Sequence, residues 1–247
     1  MDVDAATPPP LSAKRSRARR VGRAAGTLLI VGGLGLLVWT FVVWQWNDPF
    51  TSLYTRWEQR KLVSTYERIA EDYQPVRPIP ATATPEDTAA AVAKNAHRFR
   101  SSAPIGGAIG QLVVPRLKLN IVMVNGTDSA TLKRGPGRDG RTFMPGEGRL
   151  VYIAGHRTTY LAPFSAIDTM RPGDRITLKM PYATFEYAVT GHAIVDASDL
   201  SVLKSRGREQ IALQACHPRF FATQRYIVWA KPIRVTPTGG RPYRPAA

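Results

Sequence analysis

The stretch Glu209–Ala230, EQIALQACHPRFFATQRYIVWA, decides how the second half of the chain is built, and it holds the only cysteine in 247 residues. Ile211, Leu213 and Ala215 fall on one face of a strand, while Ala212, Gln214 and Cys216 fall on the other. An eight-residue connection follows, and then a second strand in which Arg225, Ile227 and Trp229 share a face. Antiparallel pairing of the two sets Cys216 opposite Arg225 at the mouth of the loop. A guanidinium beside a thiol can stabilise its thiolate, or the oxyanion made when that thiolate attacks a carbonyl. The plain alternative is a small buried core residue, a common use of free cysteine.

Outward from this hairpin the same texture continues. AIGQLVVPRL, LNIVMVNG, GRLVYIAGH, DRITLKM, TFEYAVTGHAIV and RYIVWAKPIRV are short β-rich pieces separated by Gly/Pro turns. Their alternation and spacing over about 130 residues predict one all-β domain, a closed barrel or a sandwich. No repeat, glycine-rich phosphate loop or paired-cysteine metal spacing occurs, and His156, His192 and His217 stand at no ligand-like offsets. Neither metal nor cofactor is therefore expected.

A second piece, YIAGHRTTYLAPFSAI, runs an apolar strand into Gly155 and delivers His156 at its end, where a side chain can overhang a cleft. A general acid/base there completes the cysteine–histidine logic of covalent acyl transfer. His217 is the competing partner, but neighbours on a strand point to opposite faces, which favours His156.

The N-terminus addresses location. KRSRARRVGR (14–23) carries six basic residues and no acid, and no charge appears from Ala24 to Asn47. About 23 apolar residues give roughly 35 Å of helix, enough to cross a bilayer core. Trp39, Trp44 and Trp46 crowd its far end like an interfacial belt. The basic flank predicts a cytoplasmic N-terminus and an external remainder. A cleavable signal peptide would be shorter and would end in small residues, unlike VVWQWNDPF. The net charge is +16, and residues 1–23, six basic minus two acidic, account for four of it. The other twelve charges would face outside, where they suit an anionic wall or lipid surface and not nucleic acid.

Residues 51–73 space Leu53, Trp57, Tyr66, Ile69 and Tyr73 as an amphipathic helix does, to rest on lipid or on the domain. The Pro/Ala/Thr-rich run 74–104 reads as a linker with one short helix near 85–98, and TPTGGRPYRPAA as a disordered tail. The expected organisation is a cytoplasmic segment 1–23, a signal-anchor 24–46, a juxtamembrane helix and linker stalk 47–104, a barrel 105–235 and a tail 236–247.

GHRTTYLAPF, GDRITL, LQACHP and QRYIVWA, in that order, resemble the sortases, membrane-anchored cysteine transpeptidases of Gram-positive surfaces. HRTTY, APF and CHPRF are most similar to the class E sortases of actinobacteria. The resemblance covers about residues 105–235 and implies a closed eight-stranded β-barrel with Cys216, His156 and Arg225 in the three catalytic positions. Gln214, Ala215, Thr158 and Tyr160, which flank those positions, are then expected to meet substrate. The family usually shows Thr-Leu-x-Thr-Cys, whereas this chain has Ala215 before Cys216 and so lacks that hydroxyl.

The resemblance also implies the chemistry. A Cys216 thiolate would attack the Thr–Gly carbonyl of a C-terminal sorting signal of Leu-Ala-x-Thr-Gly type, with Arg225 stabilising the oxyanion. His156, as imidazolium, would protonate the leaving amine, and a peptidoglycan stem-peptide amine would resolve the thioester. The partners are then surface proteins bearing sorting signals, wall amines and the membrane. A pilin-polymerising sortase is one alternative, but no second apolar span is present and Asp48–Phe50 stand too near the first to form a lid. A non-catalytic barrel that binds wall peptides is the other.

Overall fold

The computed structural model describes residues 13–46, 49–76, 79–80 and 82–245. The first twelve residues of the expected cytoplasmic segment, the last two of the expected tail and the side chains of Trp44 and Trp46 lie outside the described residues. The chain divides after Trp46 into two units. The first carries helix α1 (Ala13–Trp46), whose stretch Arg19–Val42 is long and apolar enough to cross a membrane.

The second unit is built on a closed eight-stranded barrel. Its strands are β1 (Ala108–Val114), β2 (Leu119–Asn125), β3 (Gly137–Arg138), β4 (Leu150–Ala154), β5 (Arg175–Lys179), β6 (Ala183–Asp196), β7 (Gln210–His217) and β8 (Gln224–Pro237). Around the barrel they run β1-β2-β3-β4-β7-β8-β6-β5, and β5 closes it by pairing with β1. The all-β, eight-stranded barrel expected from the sequence is therefore what forms. Alternation decides the inside. Ala183, Phe185, Tyr187 and Val189 of β6 are buried, with half-exposed residues between them. They meet Leu112, Ile176 and Leu213 from other strands in one apolar core.

The barrel has a weak seam. β3 pairs with β2 only at Val124 and Asn125, so the earlier part of β2 has an open edge of backbone donors and acceptors. Helix α2 (Pro49–Glu71) fills it. Gln59 Oε1 accepts from Val122 N at 2.9 Å, while its Nε2 donates to the carbonyls of Val122 and Arg134 at 3.0 and 2.8 Å. A Cβ on Gly135 would stand 2.5 Å from Gln59 Nε2, so glycine is what allows this approach. Leu62, 2% exposed, packs on Ala108, Val122 and Val124, and the Tyr66 hydroxyl donates to Lys179 O at 2.8 Å. Of the two resting places open to the amphipathic helix, its buried face takes the domain.

The expected linker is also docked. It carries α3 (Pro85–Ser102), longer than the short helix read near 85–98. The helix starts where Thr84 accepts from Asp87 N at 3.1 Å, with Pro85 in its first turn. It buries Val92 and Ala96 in the barrel core. Helices α2 and α3 thus both pack on the barrel. The tail differs from expectation as well. Tyr243 and Val235 exchange two backbone hydrogen bonds of 2.9 Å, and the Tyr243 ring packs on the core. A polar, Gly/Pro-rich segment can be ordered when one aromatic residue in it packs its ring on the core.

Candidate active site

Three neighbouring strands end together at one mouth of the barrel. β7 and β8 are antiparallel, and Cys216 is paired directly with Arg225. β4 and β7 are parallel in the register Leu150↔Gln210 to Ala154↔Gln214. Gly155 N extends that ladder by donating to Gln214 O at 3.0 Å. His156 follows two residues after the end of β4, and the same register counted on from Ala154↔Gln214 would set it opposite Cys216. The pairing of Cys216 with Arg225 counted along the two strands is the one that forms.

Gly155 earns its place through space, not through a left-handed backbone. A Cβ there would lie 2.7 Å from two ring carbons of the fully buried Phe164. After His156 the chain makes an unusual turn, in which Tyr160, Leu161 and Ala162 have φ of 52°, 64° and 41°. Non-glycine residues in this region cost on the order of 1–3 kcal/mol each, so the surroundings must hold them. Phe164 N donates to His156 O at 3.1 Å, Ala162 N to Thr159 O at 2.8 Å, and Tyr160 N to Thr51 Oγ1 of α2 at 3.0 Å. Helix α2 thereby braces the loop that carries His156.

His156 Nε2 is buried and has no partner among the described residues. The Tyr160 ring centroid lies 5.0 Å from that of His156. Burial pushes the His156 imidazole below its ordinary value, and the nearby Lys133 ammonium pushes it the same way. Both effects favour the neutral ring over the imidazolium. Arg225 commits Nη1 to the carbonyls of Ala222 and Gln224, at 2.7 and 2.9 Å. Among the described residues Nε and Nη2 have no partner, so the fork keeps donors for an oxygen that arrives.

Of the expected substrate contacts, Gln214 is half-buried on the Cys216 face, and Thr158 and Tyr160 are half-buried after His156. Ala215 is a correction. It is 0% exposed and packed in the barrel core, because it shares the inward face with Ile211 and Leu213. Its side chain offers no surface to a peptide.

Sequence reasoning missed Arg157. Its side chain is 3% exposed, and Nη2 pairs with Asp168 Oδ2 at 2.8 Å. Nη1 donates to Cys216 O at 3.3 Å and lies 2.9 Å from His217 Nδ1, while the guanidinium sits 5.8 Å from the Tyr226 ring centroid. It therefore backs the cysteine's own peptide and occupies His217, the rival histidine, on the far side from Cys216. The clue was alternation. The residue after a cleft-facing histidine points under the neighbouring strand, and a charge there must be paired.

This contrast can be measured. His156→Ala should lower kcat by roughly 10²–10⁴, the usual worth of a positioned acid/base group. His217→Ala, which removes only a ring held by Arg157, should cost less than about tenfold. Steady-state cleavage of a short peptide substrate compares the two, and the reverse ranking would assign the acid/base role to His217.

Residues 112–233 match the sortase domain family model. Sortase D of Bacillus subtilis is 30% identical over 145 residues, which cover 57% of this chain and 71% of that protein. The crystal structure of sortase E1 from Streptomyces coelicolor with a tripeptide in its active site is similar at 29% identity and TM-score 0.50, over 53% of this chain and 91% of that one. A sortase D5 transpeptidase from Clostridium perfringens shares the fold with TM-score 0.56 over 71% and 98% of the two chains, at 22% identity. With this barrel, and with a relative matched over most of its length, the chain belongs to the sortase family of cysteine transpeptidases and is similar to its class E members.

Proposed function

We propose that this transpeptidase is held in the cytoplasmic membrane by α1, with its barrel outside, and that it joins surface proteins to a peptidoglycan amine. The observation that carries the chemistry is the direct pairing of Cys216 with Arg225, and His156 follows the end of β4, the strand parallel to β7. In this reading Sγ attacks the Thr–Gly carbonyl of a Leu-Ala-x-Thr-Gly type signal, and the thiol proton passes to the neutral His156. Arg225 Nε and Nη2 donate to the oxyanion. His156, now charged, gives its proton to the departing glycine amine, which leaves a thioester on Cys216. The acceptor amine attacks that thioester, His156 takes the amine proton, and a new amide forms as the thiol is restored. The donor–acceptor inventory closes over one cycle without a cofactor.

Mass spectrometry of acid-quenched reactions tests it. A Leu-Ala-x-Thr-Gly peptide should add the mass of its acyl part to Cys216, and added amine should discharge that adduct into a ligated product. A protein that stays unmodified with both Leu-Ala-x-Thr-Gly and Leu-Pro-x-Thr-Gly peptides would end this reading.

The depressed His156 predicts a pH profile. If the neutral ring must accept the thiol proton, kcat/KM falls as pH drops through the His156 pKa, below the ordinary ~6.5. Lys133→Met removes the smaller of the two causes and leaves burial in place. The acidic limb should then move to higher pH, back toward ~6.5, with the plateau little changed. A limb that stays put or moves lower would show that Lys133 does not act on this ring.

A further inference from the structure

Helix α2 has a second face that the barrel does not use. Leu53, Tyr54 and Trp57 are 66%, 44% and 51% exposed, three large apolar side chains within two turns. Arg56, Arg60 and Lys61 are exposed among them. The one acid in these turns, Glu58, faces inward and is paired with Arg134 at 2.8 Å and with Lys61 at 3.3 Å. The Lys61 ammonium stands 2.9 Å from the Trp57 ring centroid, and the Tyr54 ring centroid is 6.5 Å from the same ring. A helix face that faces water is usually polar, whereas aromatic residues mixed with basic ones mark a face that lies among lipid headgroups. Exposed cations there match the anionic surface of a bilayer.

Two further facts choose the occupant. In the chain, α2 begins three residues after the apolar helix α1 ends, so a bilayer holding α1 is within covalent reach of the first turn of α2. That same first turn braces the catalytic loop through Thr51 and Tyr160, and Thr55 Oγ1 donates to Lys133 O at 2.8 Å. We infer that the outer face of α2 lies in the headgroup layer of the membrane and holds the catalytic mouth at the bilayer surface. This inference rests on the anchoring reading proposed above. It adds a consequence for substrate choice: a signal peptide or acceptor amine tethered to lipid is presented at the level of Cys216, while one free in solution is not.

The test uses the full chain reconstituted in phosphatidylcholine–phosphatidylglycerol vesicles. Trp57 emission is taken as the difference between the native chain and Trp57→Phe. Lipids brominated in the upper acyl chain should quench that emission roughly twofold or more, and aqueous iodide should quench it weakly, as for an interfacial helix. In a second arm, Leu53→Ser/Tyr54→Ser/Trp57→Ser should cleave a soluble signal peptide as the native chain does. It should cleave the same peptide carrying a C-terminal acyl chain in the vesicles roughly fivefold or more slowly. A chain that floats with the vesicles while Trp57 stays open to iodide overturns the inference alone. Shielding from iodide without bromolipid quenching assigns the face to a second copy of the chain and also overturns it. A chain that does not float with vesicles overturns the anchor as well.

Discussion

Cys216→Ala should leave no measurable acyl-enzyme and should lower both hydrolysis and ligation of a signal peptide by roughly 10⁴-fold or more, because the covalent route is removed. Cys216 is the only thiol in the chain, so no other cysteine can substitute. It is only half-buried and sits at the end of β7, so alanine should leave stability nearly unchanged. Unchanged thermal unfolding together with lost turnover separates a nucleophile from a core residue. Turnover above about one part in ten would contradict the cysteine mechanism. Cys216→Ser should be nearly as poor, since serine is a weak nucleophile without a strong base.

Arg225→Lys should be the next largest loss, roughly 10²–10³ in kcat with KM little changed, as for removal of an oxyanion donor. Lysine keeps the charge but cannot bond two loop carbonyls and an incoming oxygen in one plane. Phe220 and Ala222, at φ of 73° and 55°, lie in the loop that the Arg225 Nη1 bonds secure. Part of the loss could therefore come from that loop, and the split between kcat and KM tells the two apart. An oxyanion role appears in kcat at saturating peptide, whereas a displaced loop appears in KM. A loss below about threefold would reduce Arg225 to a structural clamp.

What the sequence revealed follows from the range of the interactions involved. Strand texture is local, so seven of the eight strands were legible as short β-rich runs between turns, several of them alternating apolar with polar. The facing of Cys216 and Arg225 needed only an antiparallel hairpin and a count along each strand. The missed strand, β3, is Gly137–Arg138, and two residues have no periodicity to read. The roles of Gln59 and Arg157 depend on partners 63 and 60 positions away, and that of Tyr243 on a ring packed against the barrel core. Gln59 and Tyr243 look like ordinary surface residues in sequence, and Arg157 looks like one more charge in a basic chain. Ala215 was read as a substrate contact from its place beside the cysteine, but strand alternation turns it inward with Leu213.

The Gln59 contact also sets where the molecule can be cut. Without α2, the outer edge of β2 would present unpaired amides and carbonyls, a template on which another molecule's strand can add. A fragment starting near residue 105, where the barrel begins, should be sticky and concentration-dependent in its state. One starting at Pro49 should stay monodisperse. The barrel is closed, yet its resistance to self-association should then rest on a glutamine that precedes the first strand by 49 residues.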